Sequence, residues 1–241
     1  GLGTIQPSQA DYFQSTKGGG HGDYRQIVLA PASVQEMADF VKDGFELAFK
    51  YRIPVLILSD GVIGQMMEKV ELFDPIPRLT DEEIKEKYPW ATTGKKSGTE
   101  RRIITSLDLD SHKMEQHNLK LQAKYNEITE KEVRYELLDC DDAEYLFVAY
   151  GSSARIAQKA VKLARAKGIK AGLFRLITLF PFPTVKMREM CGKGIKGFLA
   201  VEMSSGQMVE DVQLAVNGCS KVAHFGRFGG VVHTPEEVLE A

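Results

Sequence analysis

The pattern of apolar and polar positions near the start of the chain predicts a strand, a helix and a second strand. Residues 27–31 form a short apolar run, and Ile53–Leu58 an unbroken one, typical of a strand covered on both faces. Ser33 and Glu36 have the spacing of a capping box. Apolar residues then recur every three or four positions, as in an amphipathic helix: Met37, Phe40, Val41, Phe45 and Ala48. Such a βαβ unit normally has parallel strands.

Residues 62–110 lack this regularity. They carry little periodicity and several prolines and glycines, and predict only a short helix near 81–88. A long stretch of this kind usually has a function or lies against a partner. Ser111–Lys131 is polar and free of helix breakers, which predicts a helix with a thin apolar stripe that connects two domains.

Strands and helices alternate through the last hundred residues. The segments 144–153, 169–183, 195–207 and 220–230 each contain a predicted strand, and helices separate them. This alternation predicts a doubly wound parallel sheet of four strands. A ligand crevice in such a sheet lies beyond the carboxyl ends of the strands. Here that edge carries small and polar residues: Gly151, Ser152, Ser153, Ser204 and Gly206.

These patterns predict an α/β protein with two domains, over residues 1–138 and 139–241. The second has enough strands for a complete sheet. The first has two convincing strands, which cannot cover both faces of Ile53–Leu58. Either the stretch 62–110 folds over that strand, or further sheet lies upstream of Gly1, and we favour the second expectation.

Composition excludes several function classes. The 241 residues carry a net charge of −2, which gives no reason to expect nucleic acid or an anionic membrane as partner. No apolar run approaches the roughly 20 residues of a membrane span. Cys140, Cys191 and Cys219 are odd in number and scattered. They indicate a reducing cytoplasm and argue against a disulfide framework, an iron–sulfur cluster or a structural zinc held by this chain. His112 and His117 lack the helical spacing of a metal pair.

The glycine-rich segment "GGGHGD" is the first candidate for chemistry. It lacks the G-K-[ST] ending of a phosphate-binding Walker loop, and its glycines precede a strand, whereas a dinucleotide fingerprint follows one. The glycines indicate either a plain turn or backbone that passes close to a ligand. His21 is a candidate general acid or oxyanion donor, with a structural role as the alternative.

Three further motifs have simpler explanations. No long helix follows "GRFGG" near the carboxyl terminus, which disfavours a phosphate site there. Ser153 has the position of a helix cap. Asp60 follows the second strand, where it either reaches a ligand or shapes a turn.

Two longer stretches carry a family resemblance: "GLGTIQPSQADYFQSTKGGGHGDYRQIVLAP" and "PVLILSDGVIGQMMEKVE". They resemble the thiamine-diphosphate-dependent 2-oxoacid:ferredoxin oxidoreductases, in particular the large subunit of the branched-chain (2-oxoisovalerate) type. The resemblance covers essentially the whole chain. It implies the C-terminal half of a thiamine-diphosphate pyrimidine-binding domain, followed by a transketolase C-terminal-like doubly wound domain.

The resemblance also implies an activity, cofactors and partners. The reaction would be oxidative decarboxylation of a branched-chain 2-oxoacid to acyl-CoA and CO2, with ferredoxin as electron acceptor. Thiamine diphosphate and Mg²⁺ would lie at the interface with a beta-type subunit, and iron–sulfur clusters on other subunits, so this chain alone would bind no cofactor and be inactive. Further implied partners are a gamma-type and a ferredoxin-like subunit.

Site residues follow from the same resemblance. Ser8 and Thr4 would bind substrate, and Gly19, Gly20 and His21 would lie against the cofactor. Ile5, where relatives with charged substrates carry glycine, suggests an apolar pocket. The family's pyrimidine-protonating glutamate and substrate-binding arginine precede this motif. The alternatives are a non-catalytic assembly module and a nicotinamide dehydrogenase, which the missing fingerprint disfavours.

Overall fold

The computed structural model describes residues 5–94 and 101–241. The chain divides into two compact units, one formed by the residues up to Glu71 together with Leu121–Ala241, the other by Leu72–Lys120. The strands of the described residues are β1 (Ile27–Leu29), β2 (Val55–Ile57), β3 (Tyr135–Leu138), β4 (Tyr145–Ala149), β5 (Ala171–Leu176), β6 (Thr178–Phe180), β7 (Gly197–Glu202) and β8 (Lys221–Gly226). The helices are α1 (Tyr12–Thr16), α2 (Val34–Tyr51), α3 (Gly61–Gly64), α4 (Asp81–Lys87), α5 (Ser111–Lys131), α6 (Gly151–Ala166), α7 (Thr184–Gly192), α8 (Met208–Val216) and α9 (Pro235–Glu240).

The predicted βαβ unit is confirmed. β1 and β2 pair in parallel and α2 connects them. β6 adds to the free side of β1 in antiparallel orientation, giving the order β2-β1-β6. β2 is therefore an edge strand, and its residues are half-buried. The expectation of a strand covered on both faces is confirmed, because Leu56 and Leu58 pack against one core cluster while Val55 and Ile57 pack against another. The continuous apolar run did not reveal that β2 has a neighbouring strand on only one side.

The start of α2 is capped as its sequence suggests, but its buried face differs from the predicted one. Ser33 Oγ accepts a hydrogen bond from the Glu36 backbone, while the Glu36 carboxylate accepts from the backbone of Ala32. Val41 and Phe45 are 44% and 66% exposed. The buried face is shifted by one position, because glycine and tyrosine contribute to it alongside the larger apolar residues: Phe40, Gly44, Leu47 and Tyr51.

The carboxyl-terminal sheet has the order β3-β5-β4-β7-β8. β4, β5, β7 and β8 are parallel, as predicted. β3 is an added strand that pairs antiparallel with β5. Helices lie on both faces, because side chains of α6 and α9 share one core cluster while side chains of α7 and α8 contribute to another. The prediction of a doubly wound α/β fold is confirmed.

The segment 169–183 differs from its prediction as one strand. It forms two strands that belong to different sheets, with Ile177 at the break. The Ile177 carbonyl accepts a hydrogen bond from Ala30, next to β1, and its N–H donates to Arg134, next to β3. The segment thereby joins the two sheets. This division depends on backbone pairing with strands far away in the sequence.

The second unit contains little regular structure. α4 is confirmed, with a complete capping box between Thr80 and Glu83. The helix predicted for Ser111–Lys131 is also confirmed. Its part from Leu121 onward belongs to the first unit, where Tyr125 and Ile128 are buried against α2 and β1.

The expectation that the cysteines stay unpaired is wrong. Cys191 and Cys219 form a disulfide with a Cα–Cα distance of 6.1 Å, while Cys140 is free. Sequence separation did not reveal this pair because the fold brings the end of α7 beside the turn after α8. Among the described helices, none has the length and apolar character needed to cross a membrane.

Candidate functional site

The predicted crevice at the carboxyl edge of the second sheet is occupied by the chain's own polar residues. Asp60 follows β2, and its Oδ1 caps α3 by accepting hydrogen bonds from Val62 and Ile63. Its Oδ2 accepts from both the backbone N–H and the hydroxyl of Ser152, at 2.9 and 2.8 Å. Asp60 therefore serves the N-termini of two helices, α3 and α6, and its carboxylate is fully used in structure.

Gln9 is the second buried polar residue at this edge of the sheet. The sequence patterns did not single it out. Its Oε1 accepts from Ser153 Oγ at 2.7 Å and from the Met203 N–H at 2.9 Å. Its Nε2 donates to the Tyr150 carbonyl at 3.0 Å and to Asp60 Oδ2 at 3.3 Å. Every hydrogen-bonding position of the amide has a partner, which a buried amide requires. We name Gln9, Asp60, Ser152 and Ser153 the carboxyl-edge junction.

Gly151 fits the junction because it has no side chain. Its φ is +56°, and a Cβ there would lie 2.7 Å from Asp60 Oδ2 and 3.0 Å from Gln9 Nε2. The close approach of these polar groups leaves no crevice for a ligand between them. At Gly151, Ser152 and Ser153, where a crevice would lie if the sheet had one, the loop after β2 and the N-terminal segment fill the edge.

Glu202, at the end of β7, is a second buried carboxylate at this edge. It is fully buried, and its oxygens accept from Ser204 Oγ and from the backbone N–H groups at the start of α8. Gly206 donates to the same serine hydroxyl. Ser204 and Gly206 thus shape the loop around the Glu202 carboxylate, which caps α8. An anion at this position is favourable because the N-terminus of a helix carries a partial positive charge.

Ser8 lies directly beside the junction. The side chain is half-buried, and its hydroxyl accepts a hydrogen bond from the Ala10 N–H at 3.1 Å. Because Gln9 is held on all sides, the backbone of Ser8 is fixed in place. Thr4, which was predicted to bind substrate together with Ser8, lies outside the described residues. Ile5 is fully exposed.

The glycine segment folds around one phenol oxygen. The backbone N–H groups of Gly19 and Gly20 donate to Tyr24 Oη at 2.9 and 3.0 Å. Gly18 has φ +88°, a conformation that favours glycine. His21 is exposed, and no hydrogen bond or ion pair joins it to another described residue.

The structure does not bring these two groups of predicted site residues together. Ser8 lies near the carboxyl end of β2, where Pro7 contacts Gly61, whereas Gly19, Gly20 and His21 precede the amino end of β1. α1 and its flanking residues connect them and are anchored on α8. Tyr12 Oη donates to Asp211 Oδ2 at 2.6 Å, and Gln207 Oε1 accepts from the Phe13 backbone at 2.8 Å. Burial, with the Asp211 charge as a lesser cause, raises the Tyr12 pKa well above its usual value.

Two family models match the chain. One, described as pyruvate flavodoxin/ferredoxin oxidoreductase, thiamine diP-bdg, matches residues 3–136. The other, described as pyruvate:ferredoxin oxidoreductase core domain II, matches residues 143–238.

Similar full proteins are longer than this chain. It is 50% identical over 243 residues to the ketoisovalerate oxidoreductase subunit VorB of Methanothermobacter thermautotrophicus, with 100% of this chain and 66% of the relative covered. It is 34% identical over 259 residues to the 2-oxoglutarate synthase subunit KorA of Methanothermobacter marburgensis, with 96% of this chain and 67% of the relative covered.

A solved structure has the same fold. The chain superimposes on a 2-oxoglutarate:ferredoxin oxidoreductase from Magnetococcus marinus with a TM-score of 0.77 at 22% identity, covering 98% of this chain and 44% of that one. This likeness and the two family models confirm the fold class predicted from the sequence.

Proposed function

This chain belongs to the pyruvate flavodoxin/ferredoxin oxidoreductase family, and we propose that it is part of the large, alpha-type subunit of a 2-oxoacid:ferredoxin oxidoreductase. The substrate is a branched-chain 2-oxoacid of the ketoisovalerate type, and the products are acyl-CoA and CO2. The observation that carries this proposal is the 50% identity to a ketoisovalerate oxidoreductase subunit over the full chain. The chain spans 66% of that relative's length, so the activity belongs to a larger protein.

We propose that the chain consists of two domains. Residues 1–138 form the pyrimidine-side domain and residues 139–241 the transketolase C-terminal-like domain. The boundaries of the two family models support this division. The carboxyl-edge junction then has a positioning role, since it fixes the N-terminal segment with Ser8 against the second sheet.

The described residues do not by themselves fit a complete thiamine-diphosphate site. The buried carboxylates Asp60 and Glu202 spend their oxygens on backbone N–H groups and hydroxyls. No group of three or more His, Cys, Asp or Glu among the residues outside 1–4 and 95–100 could hold Mg²⁺. We therefore place the diphosphate and Mg²⁺ on a beta-type partner subunit and assign this chain a contact with the organic part of the cofactor.

Ser8, with Thr4, is assigned to the substrate carboxylate. The hydroxyl of Ser8 keeps a proton to donate, because its observed hydrogen bond uses it only as an acceptor. Gly19, Gly20 and His21 are assigned to the cofactor side of the interface. The exposure of His21 leaves it accessible to a partner subunit or ligand.

The assembled enzyme includes further parts. Iron–sulfur clusters are carried by a ferredoxin-like subunit, a gamma-type subunit completes the complex, and coenzyme A accepts the acyl group. The complex works in the cytoplasm.

The test uses the full-length protein assembled with its partner subunits. Viologen reduction is measured with coenzyme A and either 2-oxoisovalerate or 2-oxoglutarate. We expect kcat/KM to be at least about tenfold higher for the branched substrate, because burying its methyl groups outweighs the desolvation of a second carboxylate. Preference for 2-oxoglutarate would overturn the substrate assignment. Assembly without reduction of viologen by any 2-oxoacid would favour the non-catalytic alternative.

The His21 assignment needs its own variant. We expect His21→Ala to lower kcat about tenfold or more if the imidazole contacts the cofactor or substrate, with an unchanged unfolding temperature. His117→Ala, at another exposed histidine, is the matched control. An unchanged kcat in His21→Ala would remove His21 from the site.

A further inference from the structure

The disulfide between Cys191 and Cys219 lies outside the candidate site. Cys191 is in the last turn of α7, and Cys219 follows α8 in the turn that leads into β8. Cys219 is exposed and Cys191 half-buried. A disulfide in this position is open to attack by a dissolved thiol, which is the first requirement for exchange.

A surface cleft of about 400 Å³ runs along this disulfide. Its lining includes Arg188, one helical turn before Cys191, and the turn residues Asn217 and Cys219. Arg188 Nε donates to the Ala215 carbonyl of α8 at 3.1 Å, so the guanidinium is held beside the disulfide. The cleft thus combines a cleavable bond, room for a small molecule and a fixed positive charge.

We propose that Cys191 and Cys219 form a thiol–disulfide exchange site for a small thiol that carries carboxylates. The Arg188 guanidinium attracts such a thiol and stabilises the thiolate that leaves Cys191. A neighbouring cation favours a cysteine thiolate, and a more stable thiolate is a better leaving group. This proposal is independent of the function proposed above.

The exchange proceeds in two balanced steps. A thiolate of the small thiol attacks Sγ of Cys219, the more exposed of the two residues, and the Sγ–Sγ bond breaks to release Cys191 as a thiolate. A second thiolate attacks the small molecule's own sulfur in the mixed disulfide and releases Cys219. The protein gains two electrons and, after protonation, two protons, while two small thiols become one disulfide. The reverse reaction, with the small disulfide as oxidant, closes the pair again.

The position of the pair connects it to the candidate site. The disulfide fastens the end of α7 to the turn after α8. Asp211 of α8 and Gln207, which immediately precedes α8, hold the N-terminal segment. Asn217 and Gly218 have φ values of +47° and +79° in a turn outside the regular elements. Opening the bond therefore frees a turn without unpairing a strand, and it loosens the helix that anchors α1.

The experiment follows reduction of the full chain without oxygen. Protein first treated with oxidised glutathione is mixed with reduced glutathione or with uncharged 2-mercaptoethanol, quenched with acid and alkylated. Mass spectrometry then counts the modified cysteines. Rates are divided by those for a small unstructured disulfide, which corrects for the intrinsic reactivity of each thiol. We expect a relative preference of about threefold or more for glutathione, falling as salt is added.

Variants assign that preference to Arg188. We expect Arg188→Gln to abolish it and Arg188→Lys to keep it. Lys186→Gln, which removes the same charge from α7 outside the cleft, is expected to have no effect. The proposal is overturned if Cys191 and Cys219 remain alkylatable after treatment with oxidised glutathione. It is also overturned if glutathione shows no preference, or if Arg188→Gln behaves like Lys186→Gln.

Discussion

Asp60 and Ser152 stand 92 positions apart in the sequence, yet Asp60 Oδ2 accepts two hydrogen bonds from Ser152, one from its backbone and one from its hydroxyl. This contact joins the loop after β2 to the start of α6. It closes the edge at which a doubly wound sheet normally binds ligands. Gln9, which contacts Asp60 and Ser153, attaches the N-terminal segment to the same junction.

Asp60→Asn tests the energetic weight of this contact. Asparagine has one acceptor oxygen where aspartate has two. Its NH2 group would therefore face either the donors of Ser152 or the N–H groups of α3, and those donors would lose their hydrogen bonds. We expect the free energy of unfolding to fall by about 2–3 kcal/mol, measured by urea denaturation. Asp110→Asn, at an exposed carboxylate that accepts from His112 and Lys113, should cost much less. Equal losses in both variants would contradict a special role for the junction.

His233 makes stability depend on pH. It is 2% exposed, neither ring nitrogen has a hydrogen-bond partner among the described residues, and burial lowers its pKa from 6.5 to about 4. The unfolded chain binds a proton as the pH falls through 6.5, while the folded chain does so only near 4. Protonation therefore favours unfolding, and between pH 7 and pH 5 this one group should remove about 2 kcal/mol of stability.

The His233→Leu variant isolates that contribution. Because leucine does not titrate, urea denaturation at pH 7 and pH 5 should show a pH difference about 2 kcal/mol smaller than in the parent. At pH 7 the variant should be as stable or more so, since it removes two unpaired buried nitrogens. His117→Leu, at an exposed helix position, serves as control. A pH difference that survives in His233→Leu would assign the effect to other groups.

Tyr24 Oη is the hydrogen-bond acceptor that holds the glycine segment. Tyr24→Phe removes both bonds, and we expect the segment to open about tenfold more often, which corresponds to a loss of 1–2 kcal/mol. Limited trypsin cleavage after Lys17 and Arg25 measures this opening. Tyr145→Phe, at an exposed tyrosine, should leave the rate unchanged. Unchanged cleavage in Tyr24→Phe would show that other contacts order the segment.

Reduction of the Cys191–Cys219 pair should lower global stability. The loop it closes spans 28 residues, for which the chain-entropy relation gives about 3.5 kcal/mol. We expect a loss of that order in urea denaturation with reductant present. In the Cys191→Ser variant, added reductant should have no further effect. A parent protein that is equally stable with and without reductant would contradict this expectation.

Local structure was predictable where short-range physics decides it. The spacing of Ser33 and Glu36, the apolar period of α2 and the polar character of Ser111–Lys131 all led to elements that exist. The parallel βαβ unit followed in the same way. The buried face of α2 was shifted because Gly44, which has no side chain, lets the helix lie close to β2. A pattern of hydrophobic residues does not record such a position.

The candidate site was only partly predictable. The glycine segment was singled out by its composition and Ser8 through a family resemblance, and the roles of both remain predictions. Gln9 was missed because a glutamine outside helices and strands normally faces water. Its four partners are Asp60, Tyr150, Ser153 and Met203, all distant in sequence.

The sequence by itself determined the α/β class, the order of most helices and strands and the family, because these depend on periodicity, caps and motifs within short stretches. Only the tertiary structure decided that β6 leaves its expected strand for the other sheet, that Asp60 and Gln9 fill the carboxyl edge, and that Cys191 meets Cys219. The physical reason is that these contacts join residues far apart in the chain. Their partners are chosen by the geometry of the packed sheets and by the need to satisfy every buried polar group.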